Sequence, residues 1–289
     1  MTATPHPIVL RSRRFVELWV ASFSSHKILT YASAIAFRAL VALIPLTLLG
    51  FGLLGRFGLE DVWRRTLAPQ VQANVTQPVF GAIDFSVEKI FSDASLGLIV
   101  FAAVLAILDV SSSVRACMGG MNAIYETDEK RSAPRRFMLS IALGTAIAVA
   151  LIGAMLVVVT APKLVDHGAV HLVLVLFRWP VAAAALGLAV GTLVRYAPAE
   201  PRPARWVIAG ALVVVAVWIG TSVLFRVFVT SVANFKTAAG SLAVFLVLTT
   251  YVYVSSIIFL VGVQLDEFAR KDAKRGESGI LDALRGGLG

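Results

Sequence analysis

The stretch LGLIVFAAVLAILDVSSSVRACM, residues 96–118, carries only two charged side chains, Asp109 and Arg115, in an otherwise mostly apolar run. A helix rises about 1.5 Å per residue, so this run is long enough to cross a hydrocarbon layer roughly 30 Å thick. Five further runs of the same kind lie at 31–54, 137–160, 171–194, 206–229 and 242–264. In lipid every backbone polar group must be satisfied within the protein, which makes apolar segments of this length helical. The expected fold is therefore an all-α integral membrane protein, a bundle of six transmembrane helices.

The composition agrees. Of 289 residues, 58% are hydrophobic and 15% charged, too little polar surface to cover a soluble domain or pair of domains. A mean hydropathy of +0.84 points the same way. The net charge of +9 comes from short basic clusters beside the apolar runs, a placement that suits anionic headgroups. Membrane lipids are thus the expected partners and nucleic acid is not, while nothing indicates an oligomeric state. The single cysteine, Cys117, allows no internal disulfide and sits among small and apolar neighbours as a packed thiol. No cleavable signal is expected near the N-terminus; residues 15–29 instead mix aromatic, aliphatic and charged side chains, as in a helix lying at the inner interface.

Orientation follows from Lys and Arg. Arg11, Arg13, Arg14 and Lys27 precede the first run; Lys130, Arg131, Arg135 and Arg136 follow the second; Arg195, Arg202 and Arg205 follow the fourth; Arg270, Lys271, Lys274, Arg275 and Arg285 follow the sixth. The alternate loops carry Lys163 and Lys236, or balance bases with acids, so the positive-inside rule places both termini in the cytoplasm. The domain reading is a cytoplasmic segment over 1–30 with its interfacial helix, a six-span domain over 31–264 and a cytoplasmic, solvated helical tail over 265–289. The outer loop 55–95 is too long for a plain connection, and Val62, Trp63, Leu67, Val71, Val75 and Val79 recur at helical spacing. Amphipathic helices broken near Pro69 and Pro78 are expected there, covering the bundle or acting as a lid.

Charges inside a span are costly and become candidates for function. Arg38 and Asp109 both fall about 10 to 14 Å from the inner boundary at about 1.5 Å per residue, so they are expected to pair. Such a pair either gates a pathway and contacts substrate or fixes helix register. Arg178 is a third candidate substrate contact, facing an outer cavity or snorkelling to headgroups. Arg115 and Arg226 read as interface anchors. Pro45 removes a backbone donor and is the candidate hinge. Ala183, Gly187 and Gly191 repeat every four residues, a stripe for helix packing. The four histidines are scattered, and no metal-ligand spacing or phosphate-cradling G-x-x-x-x-G-K-S/T loop occurs. No catalytic residue, metal or cofactor is expected, and no enzyme.

With these segments in view, AIAFRALVALIPLTLL at 34–49 resembles the opening of the YihY family, also called virulence factor BrkB and formerly labelled ribonuclease BN. MNAIYETDEKR at 121–131, VRYAPAEP at 194–201, the run at 210–218 and AAGSLAVFLVLTTYVYVSSIIFLVGVQLDEFA at 238–269 are similar to later parts of the same family, in order, between residues 28 and 268. The resemblance implies a bacterial inner-membrane protein of six spans and a transporter or flippase-like exporter of a lipid or other amphipathic envelope component. A non-transporting scaffold or assembly factor is the alternative, and the ribonuclease label is a disfavoured third. Two positions depart from the family: Gln264 stands where relatives commonly carry Glu, and Ala239 replaces an aromatic residue.

Overall fold

A computed structural model describes residues 25–93, 95–160, 169–200, 204–231 and 238–275. Most of the expected interfacial helix and the end of the tail lie outside these residues. All regular structure among them is helical: α1 (Ile28–Arg56), a π-helical segment (Val62–Leu67), α2 (Ala68–Asn74), α3 (Gln77–Ser92), α4 (Leu96–Ile124), α5 (Ala133–Thr160), α6 (Ala169–Tyr196), α7 (Ala204–Ser231) and α8 (Ala238–Arg275).

Five apolar segments are long enough to cross a membrane: Ile28–Arg56, Leu96–Ile124, Ala133–Ala150, Ala211–Val229 and Phe245–Phe268. The run expected at 171–194 lies in α6, whose described apolar part, Pro180–Tyr196, is shorter. Around the bundle the neighbours are α1, α4, α5, α6, α7, α8 and α1 again, so six long helices form a closed ring, with α4 also touching α8 across it. Large apolar side chains such as Phe37, Ile44, Leu188 and Leu246 point outward, far more than water tolerates and as a hydrocarbon solvent requires. Ser33, Thr47, Ser113, Ser222, Thr250 and Ser256 each donate to the carbonyl four residues earlier, which satisfies their hydroxyls inside apolar helices.

The core joins Ile28, Ala32 and Ile35 of α1 to Met118 and Met121 of α4 and Leu260 and Val263 of α8. Gly120 makes this possible: a Cβ there would meet Leu260 Cδ2 at 3.0 Å and Tyr31 Cβ at 3.3 Å. Pro45 is buried within α1, which runs on through it.

The 55–95 loop folds into its own cap. Pro69 and Pro78 each sit in the first turn of a helix, α2 and α3, where a missing N–H costs nothing. Trp63, Ala68 and Val87 are buried against Phe51, Phe80 and Phe91. Phe51 meets Trp63 edge-on at 5.3 Å, and the indole Nε1 donates to Asp84 Oδ1 at 2.9 Å. Arg64 bridges α3 through two bonds to Glu88, at 2.9 and 2.8 Å, which keep the Glu88 carboxyl below its ordinary range.

Candidate functional site

Arg38 and Asp109 do not form the expected pair. Arg38 is exposed on α1 and Asp109 half-buried on α4, with no ion pair or hydrogen bond between their side chains. Arg38 instead lies within electrostatic reach of Arg115, as does Arg136. None of these three arginines makes an ion pair among the described residues. Arg115 is more than an interface anchor: its Nη1 donates to Ser111 and Ser140, at 3.1 Å to the latter, and its guanidinium lies 5.0 Å over the Phe137 ring. Ser111 and Ser140 are buried and share a 2.6 Å bond, so a polar knot joins α4 to α5. Arg178 lies on α6, and its side chain is outside the described residues.

The densest polar structure is at the end where α1 begins and α4, α6 and α8 finish. Asn122, in the last turn of α4, donates to Glu129 at 3.2 Å and accepts the backbone N–H of Ala199 at 2.8 Å. Arg131 grips both oxygens of Glu129 at 2.7 Å and reaches the carbonyl of Ala197 at 2.8 Å. Two side chains thus tie the α4–α5 loop to the α6–α7 loop. The Arg131 hydrogen bonds hold the Glu129 carboxyl at about 2, against a burial cost in the other direction.

Alongside, the Tyr125 hydroxyl donates to Asp266 at 3.3 Å, and Glu126 accepts from Lys271 at 3.0 Å with His26 3.4 Å away. The Lys271 bond leads the causes that lower the Glu126 carboxyl. Asp266 and Glu267 are 4% and 2% exposed, so the segment expected to be a solvated tail helix starts by burying two carboxylates. Arg270 grips Glu267 with two bonds, and α8 runs unbroken from the apolar span to Arg275. One turn inside, Gln264 is 1% exposed, and neither its amide nitrogen nor its oxygen has a hydrogen-bond partner among the described residues. That amide takes the place of the expected Glu.

On the flank between α6 and α7 lies an open groove of about 560 Å³. Ala183, Gly187 and Gly191 form its floor on α6, Ala211 and Val215 face them from α7, and Thr192, Arg195 and Tyr196 close its basic end. A Cβ at Gly187 would touch only Val215 Cγ2, at 4.0 Å, so there the small-residue stripe leaves space instead of a backbone seam. The Arg195 guanidinium rests 5.2 Å from the Tyr196 ring centre and makes no ion pair among the described residues. Neither Arg38 nor Asp109 lines this groove.

The family model for virulence factor BrkB matches residues 19–281. The chain belongs to the virulence factor BrkB family. A "Putative ribonuclease-like protein YfkH" of Bacillus subtilis (strain 168) is similar, at 28% identity over 186 residues, 62% of this chain and 68% of that protein. No solved structure matches.

In this BrkB-family chain the residues that meet are not those chosen for being charged within a span. Asn122, Tyr125, Glu126, Glu129, Arg131, Asp266 and Glu267 come from loops and helix ends. The sequence carries their signal in another form: the motif stretches 121–131, 194–201 and the end of 238–269 are the three segments that converge here. Arg195, one of the charges that set the orientation, also stands at the end of the small-residue stripe, four residues beyond Gly191.

Proposed function

We propose that this chain is a six-span, multi-pass protein of a bacterial inner membrane that moves a lipid or other amphipathic envelope component between leaflets. Its basic end faces the cytoplasm, with both termini there, because Arg131, Arg136, Arg195, Arg270 and Lys271 gather on that side. The observation that carries the reading is the flank groove: apolar along its length and cationic at one end, it matches the profile of a molecule with a greasy body and a polar head. It opens sideways, where lipid lies, while the loops at the basic end are tied together by Asn122, Glu129 and Arg131. Arg38 and Asp109 are kept as gate candidates near the inner boundary, and Arg178 as an outer contact.

A second reading, a non-transporting scaffold, is favoured by that same tied network, which rigidifies the bundle without lining a pathway. Ribonuclease, the activity in the relative's name, is a third. Purified protein in liposomes containing a fluorescent phospholipid, quenched from outside, separates them. Transport predicts faster loss of the protected inner-leaflet signal than in empty vesicles, and slowing by Arg38→Ala or Asp109→Ala would assign those residues the gate. Rates equal to empty vesicles in all three proteins refute it, and a parallel assay with labelled RNA reads out the third possibility. A reporter fused after Arg285 reads as cytoplasmic under the proposed orientation.

A further inference from the structure

From Ala183 to Arg195 the groove follows three turns of α6, a length of about 18 Å, close to one leaflet of a hydrocarbon layer roughly 30 Å thick. Its walls, Leu188 and Leu212, are 69% and 65% exposed, so the trough is open to the membrane along its side. Among its described lining residues the one fixed charge is at the end. Arg195 lies in the last turn of α6, where the helix dipole favours a cation, and Tyr196 supports the guanidinium from below. Among the described residues no carboxylate is paired to it, which leaves guanidinium donors for an outside acceptor.

We propose that this groove binds one anionic phospholipid of the leaflet at the basic end, an acyl chain lying along Gly187 and Gly191 and the phosphate on Arg195. The inference rests on the membrane-spanning reading and supplies the substrate class for the proposed transport, but the binding itself requires no transport. Charge decides between occupants. A second copy related by a two-fold axis along the membrane normal would bring its own Arg195 to the same depth, cation against cation, whereas a lipid phosphate neutralises it. A zwitterionic lipid offers the same phosphate but brings a compensating ammonium, so preference for net anionic headgroups is the distinguishing mark.

The test uses the full chain in nanodiscs of equal phosphatidylglycerol and phosphatidylethanolamine, with retained lipids weighed by native mass spectrometry. The wild type is expected to retain phosphatidylglycerol in excess. Arg195→Gln lowers that retention about fivefold, the loss expected for one basic residue at an anionic surface, and leaves phosphatidylethanolamine unchanged. Arg195→Lys keeps most of the preference. Gly187→Leu, whose side chain has room to enter the groove, lowers retention of both lipids. Should Gly187→Leu fail to fold, seen as Cys117 reacting with a maleimide, the Arg195 pair decides alone.

Equal retention of the two lipids by the wild type overturns the proposal, as does a preference unaltered in Arg195→Gln. So does a lipid-free dimer, which would mean a second copy fills the groove, or displacement of the anionic lipid by inorganic phosphate alone. Preference without flipping in the liposome assay refutes transport and leaves this site standing; flipping without preference does the reverse.

Discussion

Replacing Glu129 by Gln removes the charge at the centre of the loop network while keeping its shape. The Glu129 carboxylate accepts Arg131 Nε and Nη2 at 2.7 Å each and Asn122 Nδ2 at 3.2 Å, with the Arg131 and Glu129 side chains only 14% and 18% exposed. Its carboxyl is held at about 2 against an ordinary 4.5, which corresponds to about 3 kcal/mol of stability. The sign is that of a depressed acid: the contribution is complete above pH 4.5 and is lost as pH falls through about 2. Cys117, the single cysteine and 8% exposed, supplies the readout near neutral pH, since a fluorogenic maleimide reaches it only when the bundle opens, and intrinsic tryptophan fluorescence follows the same ramp in acid, where the thiol is too protonated to react. Glu129→Gln is expected to lower the midpoint of a thermal ramp by roughly 6–12 °C above pH 4.5. The gap from wild type narrows below that pH. The Glu126 carboxyl, also lowered by its Lys271 bond, is common to both proteins, so it drops out of the difference. A gap under about 1 °C, or one that stays constant down to the lowest pH, would refute the reasoning.

Glycine substitutions map where helices touch. Gly120→Ala places a methyl 3.0 Å from Leu260 Cδ2 and should cost about 1–3 kcal/mol in the same thermal assay. Gly220→Ala meets nothing within 4 Å and should gain up to about 1 kcal/mol from helix propensity; similar behaviour of the two would contradict the packing. In the 55–95 cap, Trp63→Ala removes a side chain that is 2% exposed, a truncation of about 3–5 kcal/mol. Proteolysis within 55–95 should accelerate while the Cys117 midpoint holds, because the cap core is separate from the bundle core, and a joint fall in both would show them to be one unit. Asp84→Asn keeps an acceptor for the Trp63 indole and should weaken the cap by about 1 kcal/mol, read as a smaller gain in cleavage rate.

The membrane-spanning character was legible because a hydropathy window needs no knowledge of neighbours: length and apolarity alone settle whether a helix can sit in lipid. The 55–95 cap was legible for a related reason, since Val62, Trp63, Leu67 and Val71 recur at helical spacing whatever they pack against, and Pro69 and Pro78 mark where new helices begin. The run at 171–194 is less sharply defined, with a described apolar segment only from Pro180 to Tyr196.

Which charges matter was harder to see, and the reason is physical. A charge in an apolar window is costly only if its face is covered; Arg38 is exposed on α1, where a long stem can carry the head toward the interface. Asp266 and Glu267 fall where the apolar run 242–264 gives way to charged residues, at the end of the span Phe245–Phe268; the ends of α4 and α8 close over them, and Tyr125 and Arg270 supply hydrogen bonds that offset part of the cost of burial. Window averages register composition along the chain, whereas the cost of an ionised group depends on what crosses over it from elsewhere. Arg195 completes the point from the opposite side: an ordinary loop cation by position, it becomes the polar end of an apolar trough because α6 stacks Gly187 and Gly191 along that trough and α7 leaves the space beside Gly187 unfilled.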